Sequence, residues 1–355
     1  MALIVSVGTV SSPDVGVVTF VPGGSYHVKV RDGGDGAEIS DIDFGDDPAI
    51  GAAAYARSGA APAVVLLGTR PAGTVRAQIK DTSSGAQITN LFFGSEYAGV
   101  DVAVVPDANQ SGDPELAVLG ENASQRVRLE VQDISDGSVI QTLFLGTSMS
   151  AHSLTVYDDL DNSGADDLSV NGVVRSTNKV RARTIDPVSG SIFADFFFGS
   201  AYAPVAFASH PDLNGANGDE LDFLGYRSDI GRIRIQNKDA TDGAFIGSRF
   251  WSTSALPVDL EAIADTNADG LDDLLVLVET DTGTGKVRIQ KNGTGALLET
   301  LTFGALTDPV ALAVSADLNG NGSPDIMVLG TQGGVPRVQI RDSSTGLNIR
   351  NIDFP

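Results

Sequence analysis

The chain has 355 residues, a formal net charge of −23 and no cysteine, with an isoelectric point near 4.2. That charge excludes nucleic-acid backbones and anionic membrane surfaces, which require clustered Lys and Arg. The missing thiols exclude disulfides, thiolate catalysis and Cys-ligated zinc. A hydrophobic content of 42% supplies a packed core, and no run is long and apolar enough for membrane insertion.

Laid end to end, the sequence divides into seven units of roughly 50 residues, the period of propeller blades. The units fall at about 1–45, 46–94, 95–146, 147–199, 200–252, 253–304 and 305–355. Most close on an aromatic-Gly pair or its remnant: Phe44-Gly45, Phe93-Gly94, Leu145-Gly146, Phe198-Gly199, Phe250-Trp251, Phe303-Gly304 and Phe354-Pro355. The first unit enters strand-like sequence directly after Met1, without a basic-then-apolar leader, and reads as a mature or excised domain.

The seventh unit shows the internal order. An apolar strand around Val310 leads to an acidic loop, then to a second strand beginning near Ile326. A Gly-rich turn, an alternating strand near Arg337, a turn at Asp342 to Gly346 and a last strand into Phe354 follow. Four short strands per unit with no helical period predict an all-β chain, a seven-bladed β-propeller of four-stranded antiparallel blades. At this level each blade is either contiguous in sequence or shifted by one strand.

Five units carry the acidic loop. The third has Asp107, Asn109, Ser111, Gly112 and Glu115, and the fourth Asp159, Asp161, Ser163, Gly164 and Asp167. The fifth has Asp212, Asn214 and Glu220, with Ala216 and Asn217 where the others have a ligand and a Gly. The sixth is fullest, with Asp265, Asn267, Asp269, Gly270 and Asp273; the seventh has Asp317, Asn319, Asn321, Gly322 and Asp325. Oxygen-bearing side chains at alternate positions, a Gly for the sharp turn and a closing carboxylate suit a hard cation. Oxygen-only ligation by a flexible loop points to Ca²⁺, at up to five sites. With two or three carboxylates each, affinities on the order of 10⁻⁴–10⁻³ M are expected, as in extracellular modules. Good turn chemistry is the competing explanation for any single loop. The first unit (around Ser11 to Asp14) and the second (Tyr55 to Ala63) lack the pattern, so the turn does not require it.

The Phe-Gly ends, the Asp-x-Asn-x-Asp-Gly-x-x-Asp loops and the strand that follows resemble the FG-GAP/VCBS repeats of integrin alpha-subunit propellers and bacterial surface proteins. The resemblance spans the chain, with clear loops in units three to seven. It departs in lacking a Gly-Ala-Pro tripeptide after the second strand. It implies a propeller fold and calcium loops, and leaves the ligand open because the fold hosts many functions.

Aligned third strands expose one basic residue per unit: His27, Arg76, Arg128, Arg181, Arg232, Lys286 and Arg337. Local pairing with carboxylates outweighs a cationic ring as their explanation. The face opposite the loops carries Tyr97, His152, Tyr202 and Trp251, which either anchor a ligand or plug gaps between blades. None of His27, His152 and His210 sits in a catalytic or metal-ligand spacing. The sequence therefore predicts a calcium-stabilised, extracellular, cell-surface or periplasmic module. It is expected to be non-catalytic and to bind a protein or glycan ligand on the face opposite the metal loops. The alternatives are a propeller-type polysaccharide lyase or hydrolase, and a structural spacer in an adhesin.

Overall fold

The computed structural model describes residues 4–355 except 10–11, 22–23, 214–217 and 293, with side chains from Asp14 onward. All described regular structure is strand, arranged in six antiparallel sheets, five of four strands and one of seven. Each four-stranded sheet is contiguous in sequence and up-and-down in order. The first, for example, runs Ile4–Thr9, Ser12–Val21, Ser25–Asp32, Glu38–Asp43. The seven-stranded sheet arises because Leu297–Ser315 is one continuous 19-residue strand. Its first part pairs with Thr284–Gln290, and its last part with Asp325–Gln332. The outer strand of the sixth unit thus runs directly into the inner strand of the seventh.

Burial explains the residue pattern of each unit. Second strands such as Ala63–Thr69 and Glu115–Glu121 are buried over six consecutive residues. They lie mid-sheet with both faces covered, so they read as unbroken apolar runs. Outer strands such as Gln87–Phe92 are mostly half-buried or exposed, with Leu91 buried. The hydrophobic clusters lie between consecutive sheets. One of them joins the first sheet to the last, packing Val15 and Val17 against Met327, Leu329, Val338, Ile340, Ile352 and Phe354. Inner strands also run side by side from unit to unit, with Ile4–Thr9 next to both Ala49–Tyr55 and Leu297–Ser315.

The aromatic-Gly ends have a packing cause. Phe44, Phe93, Phe198, Phe303 and Phe354 are buried between sheets. The following Gly45, Gly94 and Gly199 hold φ of 78°, 77° and 95°, a left-handed turn that glycine enters without steric cost. In the fifth unit Trp251 aligns with Phe198, and Phe250 with the exposed Phe197. Trp251 therefore fills the aromatic position there.

Candidate functional site

Each acidic loop joins a first strand to a second, and four of them share one backbone course. Position four is left-handed in Gln110, Asn162, Ala268 and Gly320 (φ 60°, 60°, 59° and 76°). Position six is left-handed in Gly112, Gly164, Gly270 and Gly322 (φ 97°, 92°, 88° and 91°). The first Asp organises this turn. Carboxylates of Asp107, Asp159, Asp265 and Asp317 accept the position-six N–H at 3.1, 2.8, 2.7 and 2.6 Å.

The closing carboxylates Glu115, Asp167, Glu220, Asp273 and Asp325 are all fully buried at the start of the second strand. Each accepts the N–H of loop position two. The distances are 2.6 Å from Ala108, 2.8 Å from Leu160, 2.9 Å from Leu213, 3.0 Å from Thr266 and 2.7 Å from Leu318. In the fourth and seventh loops the other oxygen, Oδ1 of Asp167 and of Asp325, is buried with no hydrogen-bond donor. Burial pushes Asp167 up to about 7 and Asp325 to about 6, with neighbouring carboxylates adding to the rise. Burial likewise pushes Glu115 up, and Glu220 to about 7. Asp159, Asp161 and Asp167 each place one oxygen within 4.8 Å of the others'. Three carboxylates converging at this separation, with Asp167 Oδ1 lacking a donor, fit a hard divalent cation.

Sequence reasoning missed a further carboxylate, the Asp that opens the third hairpin. Register places Asp133 opposite Glu115 and Asp342 opposite Asp325. Asp133 Oδ1 accepts the Ser135 N–H at 2.7 Å, while Oδ2 accepts the Asn109 amide at 2.8 Å. Asp342 Oδ1 accepts N–H groups of Ser344 and Thr345, and Oδ2 the amides of Asn319 and Asn321. Burial raises both carboxyls, but these hydrogen bonds outweigh it and hold each at about 2. The Asp-x-x-Thr-Gly signature is turn chemistry, and one oxygen of the same Asp also reaches the loop beside it.

The remaining loop residues sort as follows. Ser111, Asp161 and Ser163 are exposed at the loop tips, and Asp212 is half-buried. Asn214 lies outside the described residues. Asn267 turns its amide onto Asp273 at 2.9 Å, and Asp269 Oδ2 meets Lys291 Nζ at 2.5 Å. The first unit retains one half of the arrangement, with Asp14 opposite Asp32 in register. Burial pushes Asp14 up to about 6, and the Asp32 charge adds to the rise.

His210, which sits in no catalytic or metal-ligand spacing, is fully buried between two carboxylates. Its Nδ1 is 2.5 Å from Asp222 and its Nε2 3.6 Å from Glu220. Burial lowers its pKa, but the charges of Asp222 and Glu220 outweigh that and raise it.

In an up-and-down sheet the second turns and the inter-unit segments lie at the end opposite the first and third turns. Tyr97 and Tyr202 are buried there, filling gaps between sheets. A cavity of about 270 Å³ opens at this end between the fifth and sixth units. Trp251, Thr253, Thr280, Asp281, Lys286 and Arg288 are among its lining residues. The Arg288 guanidinium sits 5.1 Å from the Trp251 ring centroid. Five of the seven aligned basic residues are paired: His27 with Asp41 at 2.6 Å, Arg76 with Asp47 at 2.5 Å, Arg128 with Glu130 at 2.9 Å, Arg181 with Asp195 at 2.7 Å and Arg337 with Asp353 at 2.6 Å. In the fifth unit register places Arg234 opposite Phe250, as Arg181 lies opposite Phe197, so the aligned basic residue there is Arg234 and not Arg232, which stacks on Phe250 at 4.6 Å. Lys286 and its neighbour Arg288 form no ion pair among the described residues.

The sheet arrangement defines a β-propeller, and solved structures share it. The BP39L lectin from Burkholderia pseudomallei is 13% identical, with 96% of this chain and 95% of that chain covered at a TM-score of 0.67. A putative 6-phosphogluconolactonase from Bacteroides fragilis is 12% identical over 97% and 95%, at 0.62. BBS1N, crystallised in complex with ARL6DN, is 12% identical over 90% and 86%, at 0.60. At these identities the likeness is one of fold. Residues 265–328, which contain the sixth loop and reach the strand after the seventh, match the FG-GAP-like repeat. The chain is a β-propeller that carries an FG-GAP-like repeat over residues 265–328. A search of curated proteins found no match.

Proposed function

We propose that the chain is a closed seven-bladed propeller, stabilised by Ca²⁺ and working outside the cytosol as a non-catalytic recognition module for a protein or glycan ligand. Ring closure by packing is supported by the cluster that joins the first sheet to the last. Bound Ca²⁺ would tie first to second strands on one face and hold the opposite face rigid. The observation that carries recognition is the cavity beside Trp251. An aromatic ring, hydroxyls, Asp281 and two cations that form no ion pair among the described residues converge there, on a chain of net charge −23. Such a site suits a ligand bearing a negative group.

The test is a binding screen over acidic and neutral glycans and matrix proteins. Wild type is expected to bind a member of the panel, and Trp251→Ala and Arg288→Ala each to weaken binding at least about tenfold, a loss of about 1.4 kcal/mol. Unchanged binding in both variants would remove this site.

A hydrolase or lyase reading draws on one observation, the carboxylates Asp259 and Glu261 on the inner strand Leu256–Ile263. Burial pushes Asp259 up to about 6; burial and then the Asp259 charge push Glu261 to about 8. Asp259 is nevertheless committed, accepting Leu260 N–H and Leu312 N–H of the next unit at 2.9 Å each. Asp101 makes the same bridge to Leu154 at 2.8 Å. These aspartates staple adjacent units together. Glu261, raised above its unfolded value, contributes stability that is full below the ordinary carboxylate range and lost as pH rises through about 8. Between pH 5 and 9 wild type should lose on the order of 4 kcal/mol relative to Glu261→Gln, read from denaturant unfolding at each pH. Parallel profiles would show that Glu261 does not titrate this way.

A further inference from the structure

We infer that the sixth loop, the one richest in carboxylates, is filled by the chain's own Lys291 and takes no divalent cation. The inference rests on the calcium reading of the other loops and reverses the ranking that ligand counting produces. Three observations support it.

First, the residue at or immediately after the end of the third strand is Asp133, Asp186 and Asp342 in the third, fourth and seventh units, and Lys291 in the sixth. An anion facing the loop adds to its pull on a cation, whereas an ammonium competes for the same place. Second, Lys291 Nζ lies 2.5 Å from Asp269 Oδ2, the loop's third acidic position. Third, the closing carboxylate is already satisfied. Asp273 accepts Thr266 N–H at 3.0 Å, Thr266 Oγ1 at 2.5 Å and the Asn267 amide at 2.9 Å. The corresponding Oδ1 atoms of Asp167 and Asp325 have no donor. The sixth loop has thus matched its closing carboxylate with the chain's own donors, while the fourth and seventh each leave one oxygen of theirs unmatched.

The experiment counts Ca²⁺ bound per chain by equilibrium dialysis and elemental analysis, on wild type, Lys291→Asp, and a variant with Asp265→Asn and Asp269→Asn together. Lys291→Asp installs the residue found at this position in the other units and is expected to bind one additional Ca²⁺ per chain. The double variant is expected to keep the wild-type count. If the double variant loses one Ca²⁺, the wild-type sixth loop holds metal and the inference falls while the calcium reading stands. If Lys291→Asp gains none although its melting shows it folded, the inference also falls. No bound Ca²⁺ in any of the three proteins removes the calcium reading, and this inference with it.

Discussion

Removing divalent cations is expected to lower the thermal midpoint of this protein by on the order of 10 °C, read by scanning calorimetry in 10 mM CaCl₂ and again with excess chelator. A loop with a Kd on the order of 10⁻⁴ M contributes about 2.7 kcal/mol at a hundredfold excess of ligand. The third, fourth and seventh loops together then supply several kcal/mol, each tying a first strand to a second. Part of each loop survives without metal, because Asp107, Asp159 and Asp317 already gather backbone N–H groups. Chelation should therefore loosen the loops before it dissolves the sheets. Early hydrogen exchange confined to residues near 107–115, 159–167 and 317–325 would report that order. An unchanged midpoint together with no bound metal would sink the calcium reading.

Asp222→Ala is expected to cost about 3–5 kcal/mol in denaturant unfolding, the penalty for stripping one partner from a buried ion pair. Asp222 and His210 are both fully buried and in contact, so deleting the carboxylate leaves an imidazolium without its nearest counter-charge. The loss spreads further, because Asp222 also accepts the amide of Asn237. Asn237 reaches Asn292 of the sixth unit at 3.3 Å, and Arg249 donates to the same Asn292 oxygen at 2.9 Å. The fifth and sixth sheets are thus joined by a polar chain as well as by the apolar cluster around Leu224 and Val276. The double variant His210→Ala with Asp222→Ala should lose less than the two single losses added together, since neither charge is then stranded. A single-variant cost under about 1 kcal/mol would mean that the pair carries no net stabilisation.

Much of the architecture was legible because its causes are local. Apolar second strands, alternating third strands and turn residues recur with a fixed period, and each reports a backbone need that the residue itself meets. Gly322 and Gly94 supply the left-handed φ of 91° and 77° at their turns. The loops of units three to seven stood out for the same reason. The aligned basic residues were also readable in the main: five of them pair with carboxylates.

What escaped depends on which strand lies beside which. Ligand counting made the sixth loop the best metal site, and only the pairing of Asp273–Glu279 with Thr284–Gln290 brings Lys291 onto Asp269. The broken hairpin signature at Lys291 was visible in the sequence, but its meaning lay in an oxygen on another turn. His210 lacked a catalytic spacing, yet strand pairing sets it against Glu220 and its side chain against Asp222. Tyr97 and Tyr202, candidates for recognition, became plugs once the sheets packed, whereas Trp251 kept a cavity beside it.

The sequence by itself determined the repeat, the all-β class, the loops suited to a hard cation and the exclusion of disulfide, thiolate and Cys-ligated zinc chemistry, because these follow from residue type and spacing along one chain. The tertiary structure decided which loop oxygens are left unmatched, which cations lack partners and which aromatics stay open. Those depend on electrostatics and packing between strands and sheets that are distant in sequence.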